Sequence, residues 1–324
     1  MALTHSTVAT GTNDGTKQVS KNAWNADHTI DTGGATFATG TGTPTTPSAG
    51  NVVVFGKTIA NRAMPAWVGP SGLDTDVQPF LARNKVGWYQ PQGNSSTTPV
   101  ITGLQFTTYT GTATARNVAT TNALTRMRRI GIVSAATAGS FSHTRLGATT
   151  TGIAQFTTGD AATYALGGFH YVARFGISDA ATVSGARMFV GMSSSTSAPT
   201  NVEPSTLTNC VGMAQLSTDS TQLYLVYGGS SAQTAIALGS TNFSISTAVP
   251  YELALFAPAG VSATIYYQAT NLANGTTTSG TLSGGTTIIP NSTTLLAPHF
   301  WRTNNATALA VGIDICNLYV ETDQ

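Results

Sequence analysis

The sequence predicts an all-β protein: a C-terminal jelly-roll-like β-sandwich, preceded by an extended N-terminal segment and a small connecting module. Three observations carry that prediction. Large apolar residues recur with period two in short runs, the pattern of strands with one buried face. Loops rich in Gly, Ser, Thr and Asn separate the runs, as strand connections do. Charged residues make up 8% of the chain and hydrophobic residues 41%, so a core can form even though an ordinary soluble domain carries about 25% charge. No repeat of fixed period is present, which counts against a β-helix or a propeller.

Residues 1–50 hold few large apolar side chains beyond Trp24, Ile30 and Phe37. Such a segment cannot bury a core alone and orders by docking or by winding with its own copies. The Gly-Thr-Gly-Thr-Pro run before residue 50 reads as a linker. Residues 51–95 form the connecting module. It has a short strand at 52–55, the anchors Met64 and Trp67 among prolines, and Gly87-Trp88-Tyr89 before a turn.

From residue 96 to 324 strands dominate. The candidates are 101–109, 128–134, 169–177, 187–192, 212–216, 222–227, 251–257, 264–271, 276–282, 296–303 and 311–321. In 169–177 Phe169, Tyr171, Phe175 and Ile177 share one parity, and in 187–192 Met188, Val190 and Met192 do the same. The small, polar stretch 178–185 between them suits a connection between antiparallel strands. Asn274-Gly275 is the strongest hairpin signal in the chain. Residues 120–129 are the one helix candidate.

The balance of residues excludes several classes of chemistry. A net charge of +1 lacks the broad positive field that nucleic-acid binding uses. No run approaches the roughly 18 apolar residues that span a bilayer, so no membrane insertion is expected, and the first residues hold no apolar signal-peptide core. The two cysteines, Cys210 and Cys316, make no disulfide framework, and a buried free thiol is expected at Cys316. No Cys-x-x-Cys or His-x-His spacing suggests a metal, and no cofactor is expected.

The five histidines sit in no catalytic motif and Gly-x-Ser-x-Gly is absent, so no enzyme is expected. Acids of the presumed sandwich, among them Asp179, Glu252, Asp314 and Glu321, read as solvated loop groups or as partners for the few arginines rather than as a glycosidase pair. Arg126, Arg128 and Arg129 form a basic cluster with two readings: an anion site, or a strand-edge cluster pairing with carboxylates of a neighbouring subunit. Adjacent aromatics on a strand point to opposite faces. One of Trp88 and Tyr89, of Tyr266 and Tyr267, and of Phe300 and Trp301 should therefore be core, and the other a sugar platform or a subunit contact. The glycan or receptor candidates are Trp88, Tyr89, Tyr267, Trp301 and Arg302.

Three stretches resemble the tail-fibre or receptor-binding structural proteins of tailed bacteriophages. One is Asn22-Ala-Trp-Asn-Ala-Asp-His-Thr-Ile30. Another is Arg62-Ala-Met-Pro-Ala-Trp-Val-Gly-Pro-Ser-Gly-Leu-Asp74 with Gln78-Pro-Phe-Leu-Ala-Arg-Asn-Lys85. The last is a C-terminal block: residues 185–208, Ala297-Pro-His-Phe-Trp-Arg-Thr-Asn-Asn305 and Leu318-Tyr-Val-Glu-Thr-Asp323. Together they cover a minority of the chain. The resemblance implies a homotrimer in the virion, made in the host cytoplasm. Its N-terminus would attach to other virion tail proteins through Trp24, His28 and Ile30, with the β-domain facing outward. The expected function is adhesion to a host-surface glycan without catalysis. The alternatives are a head-decoration, neck or tail-assembly component, and a surface-polysaccharide depolymerase.

Overall fold

Where the sequence alternates, the chain pairs as antiparallel strands. The structure, a computed structural model, describes residues 44–48, 51–68, 74–76, 85–91, 93–94, 106–146, 156–160, 167–181, 183–195, 199, 201–259 and 263–322. Trp24, His28 and Ile30 lie outside the described residues. The chain divides into two compact units, Met1–Thr58 with Ala63–Gln78, and Ile59–Arg62 with Pro79–Gln324.

A three-stranded sheet holds β1 (Val53–Ile59), β2 (Arg62–Val68) and β3 (Asp74–Asp76), in the order β1-β2-β3. Ala60 and Asn61 join the first two strands with φ of 47° and 59°, the left-handed pair that a tight hairpin requires. Phe55, Ala66 and Val68 form a small apolar cluster in the smaller unit.

In the larger unit, β4 (Lys85–Tyr89), β5 (Phe106–Thr110), β6 (Thr112–Ala115), β7 (Ile130–Val133) and β8 (Phe141–Leu146) come first. They are followed by β9 (Phe169–Ile177), β10 (Arg187–Ser193), β11 (Cys210–Gln215), β12 (Tyr224–Gly228) and β13 (Ile236–Ala237). The last strands are β14 (Tyr251–Ala257), β15 (Thr264–Asn271), β16 (Thr277–Ser283), β17 (Ala297–Thr303) and β18 (Gly312–Thr322). A 3-10 turn at Pro204–Thr206 is the one helical element among the described residues. One sheet has seven strands in the order β13-β12-β11-β10-β17-β8-β5. The other runs β16-β15-β14-β9-β18-β7-β6, with β4 also paired to β18. The two pack face to face as an antiparallel sandwich of jelly-roll type.

The alternation decides which residues meet between the sheets. Tyr171, Phe175 and Ile177 of β9, with Leu253 and Leu255 of β14, face Met188, Val190 and Met192 of β10 and Phe300 of β17 in one cluster. Each such side chain stabilises the fold by about 1.5–3 kcal/mol relative to exposure. In β18 the inward parity changes, from Ile313 and Ile315 to Leu318 and Val320. A bulge between Ile315 and Asn317 accounts for the change. It also leaves Asp314 and Glu321 on one outer face, although they are an odd number of residues apart.

Several expectations need correction. The stretch 178–185 is not a hairpin loop: β9 pairs with β14 and β18, whereas β10 pairs with β11 and β17. The chain crosses from one sheet to the other there, and each strand has flanking strands of its own on both edges. Residues 120–129 form turns rather than a helix. Asn122 and Thr125 capture each other's backbone, with Thr125 N–H donating to Asn122 Oδ1 at 2.8 Å and Asn122 N–H to Thr125 Oγ1 at 3.0 Å. Such local bonds compete with helix formation. The Trp88-Tyr89 segment, expected in a module ending at residue 95, is a strand of the larger unit through its pairing with β18. Strands β2, β3, β6, β8 and β13 add to those expected. The Asn274-Gly275 turn joins β15 to β16 as expected, with Gly275 at φ 76°.

Candidate functional site

Arg302 lies on the inner face of β17, sharing parity with Pro298 and Phe300. Across the strands its register partners are Met188 of β10 and Ser142 of β8, and Met188 is in turn opposite Gln215 of β11. A guanidinium in that position would be stranded in the sandwich without an acid. Asp179, two residues past the end of β9, supplies it. Arg302 Nε donates to Asp179 Oδ1 at 2.8 Å, Nη2 donates to Oδ2, and Nη1 donates to Gln215 Oε1 at 2.6 Å. The backbone N–H of Gly312 also donates to Asp179 Oδ1, at 2.8 Å. The side chains of Arg302 and Asp179 are 1% and 3% exposed. A buried forked pair of this kind is strong only while every member is present.

This pair forms part of the wall of a cavity of about 250 Å³ at one end of the sandwich. Three chain segments build it. The β9–β10 crossover gives Asp179, Ala181 and Val183, the end of β11 and its following loop give Gln215 and Ser220, and the run before β14 gives Ile245, Ser246 and Thr247. Ile177 of β9 completes it. Ser220 and Thr247 are exposed at the rim. The lining thus combines aliphatic side chains with amide, hydroxyl and charged groups, the mixture that binds and orients a small polar ligand.

The crossover is anchored nearby. Arg187 Nε donates to Glu203 Oε2 at 2.7 Å, and Ser217 Oγ donates to the same oxygen at 2.6 Å. On the outer face of the eight-stranded sheet, Asp314 accepts from Arg116 Nε at 3.1 Å and from Arg129 Nε at 2.8 Å. Arg129 therefore pairs within its own chain, while Arg126 and Arg128 are exposed. Both cysteines are buried and free, and burial pushes each thiol up to about 12. Three histidines are buried with no partner at either ring nitrogen: His143, His170 and His299. Burial, then Arg145, pushes His143 down to about 4. Burial, then Arg62, pushes His170 down to about 3, with Glu321 opposing. Burial, then His143 and Arg145, holds His299 well below the ordinary histidine range.

The five glycan candidates separate sharply. Trp88 is 57% exposed and its neighbour Tyr89 is buried. Tyr267 is buried while Tyr266 is half-buried. Trp301 is buried too, stacked on Phe189 at 6.1 Å in a second cluster on the outer face of the seven-stranded sheet. Tyr89, Tyr267 and Trp301 thus present no ring to solvent; for Trp301 the reason is that the sheet is covered on both faces. Arg302 lines the cavity, apart from Trp88 and enclosed rather than on a surface platform. Asp179 was among the acids read as partners for the few arginines, and it pairs with Arg302; Gln215, Ser220 and Thr247 were not singled out. The available signal was Arg302 itself, since an arginine on the apolar parity of a strand demands a buried acid.

No protein-family model matches the chain, and no curated protein matches it. Among solved structures it is similar to a protein of unknown function from Shewanella oneidensis MR-1, at 12% identity and a TM-score of 0.42, covering 74% of this chain and 86% of that one. It is also similar to peanut lectin with a nine-residue peptide, at 12% identity and a TM-score of 0.46, covering 74% of this chain and 97% of that one. A third similar structure is the CBM2 module of the evolved Dit of Lactobacillus casei BL23 phage J-1. There the identity is 10% and the TM-score 0.38, with 75% of this chain and 91% of that one covered.

Proposed function

We propose that the chain is a non-catalytic adhesin of a tailed bacteriophage, a tail fibre or spike, that holds a host-surface glycan in the cavity beside Arg302. The observation that carries the reading is that cavity, whose lining combines the aliphatic Ile177, Val183 and Ile245 with the hydrogen-bonding Gln215, Ser246, Thr247 and Arg302. A sugar ring carries the same two kinds of group, with C–H groups on its faces and hydroxyls at its edge. The resemblance of the Trp24-to-Ile30 motif and the C-terminal block to phage fibre proteins supports the virion setting. Asp179 is a fixed acceptor, its two oxygens held by Arg302 and the Gly312 N–H. A carboxylate so engaged orients a hydroxyl rather than shuttling protons. Single-site affinity for such a shallow ligand is weak, and a homotrimer multiplies it through effective concentration.

Adsorption of purified protein to host cells tests the reading. Wild type binds and competes with intact phage, and Thr247→Trp, which fills the rim without touching the Arg302 pair, folds but loses adsorption. Absence of binding, or full binding by Thr247→Trp, overturns the proposal. Release of reducing ends from capsule or lipopolysaccharide overturns its non-catalytic part.

A further inference from the structure

A second cavity, of about 100 Å³, opens on the outer face of the eight-stranded sheet and shares no lining residue with the first. Its polar wall is a row set by the strand register. His170 of β9 lies between Phe256 of β14 and Glu321 of β18. Glu321 receives both Arg62 terminal nitrogens, Nη1 to Oε2 at 3.0 Å and Nη2 to Oε1 at 2.9 Å, and the Tyr319 hydroxyl at 2.6 Å. The Arg62 guanidinium also lies 5.5 Å from the Phe256 ring centre. His170 is 4% exposed, held edge-on between Phe256 and Tyr319 at 6.0 Å from each, and neither of its ring nitrogens has a partner. A buried imidazole with nothing to bond is costly, and here it borders a space with room for several water-sized groups.

We infer that this cavity is a second carbohydrate subsite, taking a hydroxyl-bearing edge of a neutral sugar, such as a hydroxymethyl group with its neighbouring hydroxyl. The charge arrangement selects that class. Glu321 already neutralises Arg62 through both terminal nitrogens, so an anion would meet the carboxylate beside the guanidinium. A cation would meet Arg62. A neutral imidazole has one N–H donor and one lone pair, and a hydroxyl both donates and accepts. Ala257, Ala259 and Phe256 complete the wall and take the C–H side of the ligand. The inference shares only the ligand class with the preceding proposal.

Calorimetric titration of the full chain with methyl α-mannoside, methyl α-glucoside, methyl β-galactoside and galacturonate tests it. In Thr247→Trp, where the first cavity is filled, one site per chain for a neutral glycoside persists and galacturonate does not bind. His170→Phe weakens that site by at least about tenfold, which is roughly 1.4 kcal/mol, and His170→Gln, with a donor and an acceptor of its own, restores it. Thermal unfolding confirms that the variants fold. The inference is overturned if Thr247→Trp binds no neutral glycoside, if galacturonate binds equally well, or if His170→Phe and His170→Gln behave alike. A wild type that shows a single site, unchanged by Thr247→Trp and weakened by His170→Phe, strikes the adhesin cavity alone, so the two failures are distinguishable.

Discussion

Replacing Asp179 by alanine removes one half of the buried pair on which the first cavity is built. Arg302 is then left charged and 1% exposed, with a hydrogen bond to Gln215 Oε1 at 2.6 Å, and the Gly312 N–H loses its acceptor. Stranding one member of a buried pair costs about 3–5 kcal/mol. For a unit of this size, a midpoint falls by about 2–4 °C per kcal/mol, so Asp179→Ala lowers the melting temperature by on the order of 6–20 °C. The double variant Asp179→Leu with Arg302→Met removes the charge together with its partner. It recovers most of the loss, because a buried pair and a well-packed apolar pair are often close in stability. The Gly312 N–H remains unsatisfied, which keeps the double variant about 1–2 kcal/mol below wild type. Urea unfolding of wild type, Asp179→Leu, Arg302→Met and the double variant at one protein concentration gives the coupling energy directly. The reasoning is refuted if Asp179→Ala costs less than about 1 kcal/mol, or if the double variant loses the sum of the two single losses.

Acid weakens the fold through the buried histidines. His143 and His170 titrate near 4 and 3 when folded, and His299 is also depressed. The unfolded chain therefore takes up protons that the folded chain refuses. The stability involved is present above about pH 6.5 and is lost as pH falls through the folded values, with His143 alone contributing on the order of 3 kcal/mol. Urea midpoints at pH 7.5 and 4.5 measure this, and a flat profile contradicts it. Tyr171 is fully buried with no partner for its hydroxyl, so Tyr171→Phe raises stability by about 1 kcal/mol; a loss in thermal unfolding argues that the hydroxyl is bonded. Gly191 and Gly212 pair directly across β10 and β11, and a Cβ on Gly191 would fall 2.2 Å from the Val211 carbonyl oxygen. Gly191→Ala therefore costs about 2–3 kcal/mol, checked by the same unfolding assay. Cys210 and Cys316, both held near 12, react with a thiol reagent only at the rate of unfolding; fast labelling of native protein contradicts their burial.

Strand existence was largely legible because period-two patterning is local. β9, β14 and β15 match the expected 169–177, 251–257 and 264–271. What the pattern does not carry is which sheet a strand joins. Alternation in β9 and β10 looks the same whether they are hairpin partners or face each other across a core, and only the pairing of each with other strands decides it. Short Thr-rich β6 and the polar β8 escaped because neither alternates strongly. The site was legible in one residue. Arg302 is conspicuous in a run of apolar neighbours, but Asp179, Gln215 and Thr247 come from separate segments that only the folded sandwich brings together. Solvent-facing aromatics were half legible: parity required one of Trp88 and Tyr89 to be inside without saying which, and it could not foresee that a second apolar layer covers Trp301.

The central claim is that the end cavity holds a host-surface glycan, and a crystal structure with the shortest host oligosaccharide that blocks adsorption tests it most directly. The account predicts a sugar ring in the cavity, with hydroxyls within hydrogen-bond distance of Gln215 and Thr247 and its apolar face on Ile245. A sugar bound elsewhere on the chain, with that cavity empty, contradicts it.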